Sequence, residues 1–116
     1  MKVLVTGDRN WNRMDIIERE LRKLSKDTII IHGVARGADT IAGFVAERLG
    51  MVVRPFKAEW HIYGRAAGPI RNQKMLDEGK PDLVLAFHEN LDESVGTKDM
   101  VTRARKAGLK VILIER

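Results

Sequence analysis

The chain has 116 residues, a formal net charge of +5 and no cysteine. That length suits one domain, residues 1–116, built on one core, and the lack of cysteine excludes disulfides and thiolate metal sites. Hydrophobic residues at 44% and charged residues at 32% describe a folded domain rather than a disordered tail. No apolar run approaches the roughly 18 residues of a membrane span, and Met1–Gly7 is too short for a secretory leader, so the expected location is cytoplasmic.

Lys2–Thr6 reads as the first strand. An amphipathic helix follows, with Met14, Ile17, Leu21 and Leu24 on one face and Asn12 as its candidate cap. Its charges alternate in sign, Arg13, Arg19, Arg22, Lys23 and Lys26 among Asp15, Glu18 and Glu20, which describes a solvated face with pairs such as Glu18 and Arg22. The second strand is Thr28–His32, and the second helix carries Ile41, Ala42, Val45, Ala46 and Leu49 before a capping Gly50. Met51–Pro55 is the third strand. From Phe56 to Ala67 the chain runs about a dozen residues with neither pattern, a length that favours a functional loop, and it holds Phe56, Trp60 and Tyr63.

The third helix opens at Ala67-Gly68-Pro69, with proline suited to the first helical position, and closes at Gly79-Lys80-Pro81. Asp82–Phe87 is the fourth strand, Gly96-Thr97 looks like the next helix start, and Gly108 precedes the last strand, Lys110–Ile114. The strands are nearly continuous in apolar character, as strands covered on both faces are. The expected fold is therefore α/β, a Rossmann-like three-layer domain with a five-stranded parallel sheet in the order 3-2-1-4-5. Its ligand crevice lies where the winding reverses, between strands 1 and 4.

The turns at that edge carry the candidate site. Strand 1 runs into Gly7-Asp8-Arg9-Asn10-Trp11, a permissive glycine, an arginine, two side-chain acceptors and an indole, which suits an anion plus a base. Trp11 serves equally well as cover for the core edge. Gly33 and Gly37 bracket Arg36 before the second helix, whose N-terminus suits phosphate, and Asp39 fits either a helix cap or a ribose contact. In the first turn of the third helix Arg71 opposes the helix dipole, a conflict that an anionic ligand relieves, with Asn72 beside it. Thr97 fits a cap or a phosphate contact next to Gly96, and Asp99 a general base or oxocarbenium stabiliser. Trp60 offers a stacking face. His32, His61 and His88 have no spacing that fixes a metal, so neither metal nor cofactor is expected. Neither a G-x-G-x-x-G after strand 1 nor a P-loop motif is present.

Together, Val5-Thr6-Gly7-Asp8-Arg9-Asn10-Trp11, His32-Gly33-Val34-Ala35-Arg36-Gly37-Ala38-Asp39, Ala67-Gly68-Pro69-Ile70-Arg71-Asn72 and Gly96-Thr97-Lys98-Asp99-Met100 resemble the YspA-like family of the SLOG superfamily. The resemblance implies a Rossmann-like fold that binds nucleotides or nucleotide-derived small molecules, and a homodimer. Within the superfamily, lonely-guy-type phosphoribohydrolases cleave nucleoside monophosphates with an arginine and a glutamate in a Gly-Gly-x-Gly-Thr-x-Glu-Glu segment. By that likeness Arg71 and Asp99 are the candidate catalytic pair of an N-glycosidase. Ser94 stands where a glycine is expected, however, and Asp99 replaces the first glutamate. Arg71-Asn72 is also similar to the arginine-asparagine pair of the DNA-processing protein A family, which makes single-stranded nucleic acid a further candidate partner. Glu89, Asp92 and Glu93 beside the crevice count against a phosphate track there.

Overall fold

The structure is a computed structural model, and it describes residues 1–91 and 94–115. Strands β1 (Lys2–Gly7), β2 (Ile29–His32), β3 (Val52–Pro55), β4 (Leu83–His88) and β5 (Lys110–Glu115) form one parallel sheet in the order β3-β2-β1-β4-β5. This is the order that the alternating apolar runs and helices predict.

Successive side chains of a strand point to opposite faces, and the core divides accordingly. Val3 and Val5 face helices α1 (Met14–Leu21) and α2 (Ala38–Arg48), together with Ile30, Leu85 and Phe87. Leu4, Ile31 and Val84 face the opposite layer, where Met75 and Leu76 of α4 (Ala67–Asp77) and Met100 and Ala104 of α5 (Val95–Lys106) cover them. Strand β4 is buried along its whole length, whereas the edge strand β3 is not. At the end of β4 the buried Phe87 packs its ring against Trp11, with centroids 5.5 Å apart. Removing a side chain of that size from such a place typically costs about 3–5 kcal/mol.

Several local expectations are corrected. Helix α1 stops at Leu21, because the chain tightens into turns in which Lys23 and Leu24 donate to the carbonyls of Glu20 and Leu21. Leu24 still packs on the core. Arg13 rather than Asn12 holds the N-cap position, without a side-chain cap bond. The segment after β3 is not all irregular: α3 (Trp60–Tyr63) and a 3-10 turn over Gly64–Ala66 lead directly into α4. That continuity starts α4 at Ala67, so Pro69 is its third residue and Arg71 lies in the second turn. Pro69 is tolerated there because the first N–H groups of a helix lack intrahelical partners anyway. At the end of α4 the left-handed residue is Lys80, with φ of 49°. Helix α5 begins at Val95, so Ser94 takes the cap position expected of Thr97, and the two hydroxyls bond each other at 2.8 Å.

Candidate functional site

The reversal of winding between β1 and β4 leaves a cleft of about 630 Å³ at the carboxyl ends of the strands. Its floor is Gly7. A Cβ there would lie 2.4 Å from the Phe87 carbonyl oxygen and 2.5 Å from the Ala38 Cβ, so only glycine lets α2 begin against the strand end. Gly37 locks the same corner from the other side. It has φ of 77°, and any Cβ would strike the backbone oxygens of Asp8 and Arg9. The Ala38 N–H meanwhile donates to the Asp8 carbonyl at 3.2 Å. Asp8 also ties β1 to β4: its Oδ2 accepts the Glu89 N–H at 2.7 Å, while its Oδ1 is shielded from solvent with no hydrogen-bond partner among the described residues.

A second layer of contacts organises the β2–α2 turn. The buried Asp39 accepts the Gly33 N–H at 2.8 Å and the Ala35 N–H at 3.5 Å through Oδ2. It is neither the helix cap nor free for a ribose through that oxygen. Burial pushes its carboxyl up to about 6, against those two N–H bonds and the nearby Arg71 charge, which act to lower it. Val34 adopts a φ of 61°, unusual for a β-branched residue, and its N–H donates to His32 Nδ1 at 3.0 Å. Burial lowers the His32 pKa, and the Val34 N–H bond makes Nδ1 the accepting nitrogen.

Arg71 reaches across from α4 onto this turn. Its Nη1 donates to the Gly33 carbonyl oxygen and its Nε to Asn72 Oδ1 at 3.0 Å. The guanidinium lies so close over Gly33 that a Cβ there would be 2.6 Å from Nη1. Burial lowers the Arg71 pKa, and the Asp39 carboxylate works against that shift. Asn72, itself buried, passes the chain of bonds to Asp99: its Nδ2 donates to Asp99 Oδ2 at 2.9 Å. Arg103 also donates to that oxygen through Nε, at 2.9 Å, and holds Gln73 through Nη1. The line Gly33–Arg71–Asn72–Asp99–Arg103 therefore ties the β2–α2 turn to α4 and α5.

The cleft gathers Gly7, Arg9, Asp39, Trp60 and Gly68 with Arg71, Asn72, Gly96, Thr97 and Asp99. Trp60 is half exposed and sits over Gly68, whose Cβ would be 3.3 Å from Cη2. Gly33 and Arg36 line instead a contiguous cleft of about 450 Å³ over the β2–α2 turn. Trp11 does not offer a free stacking face. It is 3% exposed, packed on Phe87, with Nε1 donating to the Arg13 carbonyl. Gly37 holds backbone rather than facing the main cleft.

Sequence reasoning took Asp8 only as one of two side-chain acceptors after Gly7, and did not single out Lys57, Arg65 or Arg103. Asp8 was signalled by its place directly after Gly7, and Arg103 by its spacing of four from Asp99 on one helix face. Lys57 and Arg65 carried no local signal. Among the described residues no group of three or more His, Asp or Glu is placed to hold a metal ion, and no helix is long and apolar enough to cross a membrane.

Fold and cleft together define a Rossmann-like α/β protein with an open cleft at its winding switch. A family model described as the YspA, cpYpsA-related SLOG family matches residues 1–63. The Gene 61 protein of Mycobacterium phage D29 is 37% identical over 120 residues, covering 96% of this chain and 94% of that protein. The chain belongs to the YspA, cpYpsA-related SLOG family. In fold it is similar to the X-ray structure of DNA processing protein A from Streptococcus pneumoniae, with a TM-score of 0.78 and 20% identity over 97% of this chain. It spans 49% of that longer protein.

Proposed function

We propose that the main cleft binds a nucleotide or a nucleotide-derived small molecule. The observation that carries this reading is the convergence of Arg9, Arg65 and the half-exposed ring of Trp60 on the cleft at the carboxyl ends of β1 and β4. Trp60 offers a base its open face, and the arginines offer a phosphate charge-assisted bonds. Family membership supports the same class of ligand.

Cleavage of a glycosidic bond is the second reading, because Asp99 and Arg71 do line the same cleft. Asp99 Oδ2 is occupied by Asn72 and Arg103, which suits an anchored carboxylate better than one that exchanges protons. Single-stranded nucleic acid follows as a third reading from the net charge and the exposed Trp60.

Thermal unfolding against nucleoside monophosphates, nucleotide sugars and short oligodeoxynucleotides tests these readings. A ligand at 100 times its dissociation constant adds roughly 2.7 kcal/mol, a shift of many degrees for a domain of this size. Stabilisation by a nucleotide is the expected result. A flat response to every nucleotide beside a salt-sensitive response to oligodeoxynucleotide would overturn it in favour of nucleic acid. Free base released by the wild type and not by Asp99→Asn would establish the glycosidase, and equal release by both would remove Asp99 from catalysis.

A further inference from the structure

We infer that the smaller cleft over the β2–α2 turn is a polyphosphate subsite, so that the preferred ligand is a nucleoside di- or triphosphate rather than a monophosphate. The inference rests on the nucleotide reading of the main cleft. The two clefts share Arg9, Ala35, Trp60 and Arg71, so a chain can pass from one to the other over the Arg71–Trp60 saddle.

Their charges differ in kind. The main cleft is lined by Asp8, Asp39, Glu89 and Asp99 as well as by arginines. The smaller cleft is lined by Arg9, Arg36, Lys57 and Arg71, with no carboxylate in its wall among the described residues. Some cations elsewhere have acidic partners, as in Arg13 with Asp15, Arg22 with Glu18, and Arg103 with Asp99. Among the described residues Arg9, Arg36 and Lys57 make no such pair, and all three are exposed.

A cluster of unpaired like charges around one concavity is mutually repulsive, and a multivalent anion removes that repulsion. Arg71 adds rigidity. Its guanidinium is fixed by Gly33 and Asn72 at the boundary, so it lies in the wall of both clefts without having to move. A phosphate chain leaving a nucleoside in the main cleft would be repelled by the carboxylates there and drawn across the saddle to Arg36 and Lys57. One phosphate alone would not reach far enough to gain from Lys57.

The test is calorimetric titration of the mono-, di- and triphosphate of one nucleoside, and of inorganic tripolyphosphate, into the wild type, Lys57→Glu and Lys57→Arg. Lys57 is exposed and outside the main cleft, so each variant should fold, which its melting curve verifies. The wild type should bind the triphosphate about 10-fold or more tighter than the monophosphate, as one or two additional charge-assisted bonds would give. Lys57→Glu should erase that preference and leave monophosphate affinity in place, and Lys57→Arg should retain it. Equal wild-type affinity for mono- and triphosphate would overturn the subsite, as would equal losses for both in Lys57→Glu. If no nucleotide binds at all, the nucleotide reading fails by itself. Tripolyphosphate then decides the subsite: binding that Lys57→Glu abolishes sustains it, and no binding overturns it.

Discussion

Replacing Asp39 with asparagine keeps an amide oxygen that can accept the Gly33 N–H and removes a buried charge. The folded carboxyl titrates at about 6 and its ordinary value is 3.8, so between those values the folded protein binds a proton that the unfolded chain has released. Stability from this group is therefore fully present below the unfolded value and is lost as pH rises through the folded one. A shift of roughly two units corresponds to about 3 kcal/mol over the whole range. Of this, about 1–2 kcal/mol is lost between about pH 5 and about pH 7.5. Urea unfolding of wild type and Asp39→Asn at several pH values in that window isolates the effect. The stability difference, variant minus wild type, should move in the variant's favour by about 1–2 kcal/mol from the acidic to the neutral end. Parallel profiles would refute the claim that burial dominates the Asp39 carboxyl.

Three further outcomes follow from single contacts. Gly33→Ala places a methyl against the Arg71 guanidinium, which must give up its Gly33 bond to move away, so stability should fall by about 1–3 kcal/mol while nucleotide affinity drops about 10-fold, as titration beside a melting curve would register. Gly7→Ala meets backbone and the Ala38 methyl instead, so it should destabilise by about 1–3 kcal/mol or more, read as a lowered urea midpoint. Trp60→Ala removes a half-exposed ring, so the fold should hold while nucleotide binding weakens about 5-fold or more, in line with about 1–3 kcal/mol for stacking.

The sheet was legible because its strands are short β-branched runs separated by helical spacing, and such alternation with right-handed crossovers leaves few topologies. The crevice followed from that order alone. What stayed hidden was set by contacts distant in sequence. Nothing local indicates that Asp39 turns back to the Gly33 and Ala35 N–H groups, or that Trp11 is needed against Phe87 rather than against a base. The Arg71 contact with the Gly33 carbonyl spans 38 residues, and only the packed fold creates it. Helix boundaries moved for a related reason: the 3-10 turn feeding α4 and the hydroxyl pair at Ser94 and Thr97 are local geometries that hydrophobic periodicity does not encode.

Backbone amide NMR of the isotopically labelled protein during titration with a nucleoside triphosphate reads out nucleotide binding in the cleft residue by residue. Saturable shifts are expected at Gly7–Asn10, at the β2–α2 turn around Gly33–Gly37 and at the start of α5 around Gly96–Asp99, with α1 unaffected. Shifts confined to the surfaces of α1 or β3, or a spectrum unchanged at saturating nucleotide, would contradict binding in the cleft.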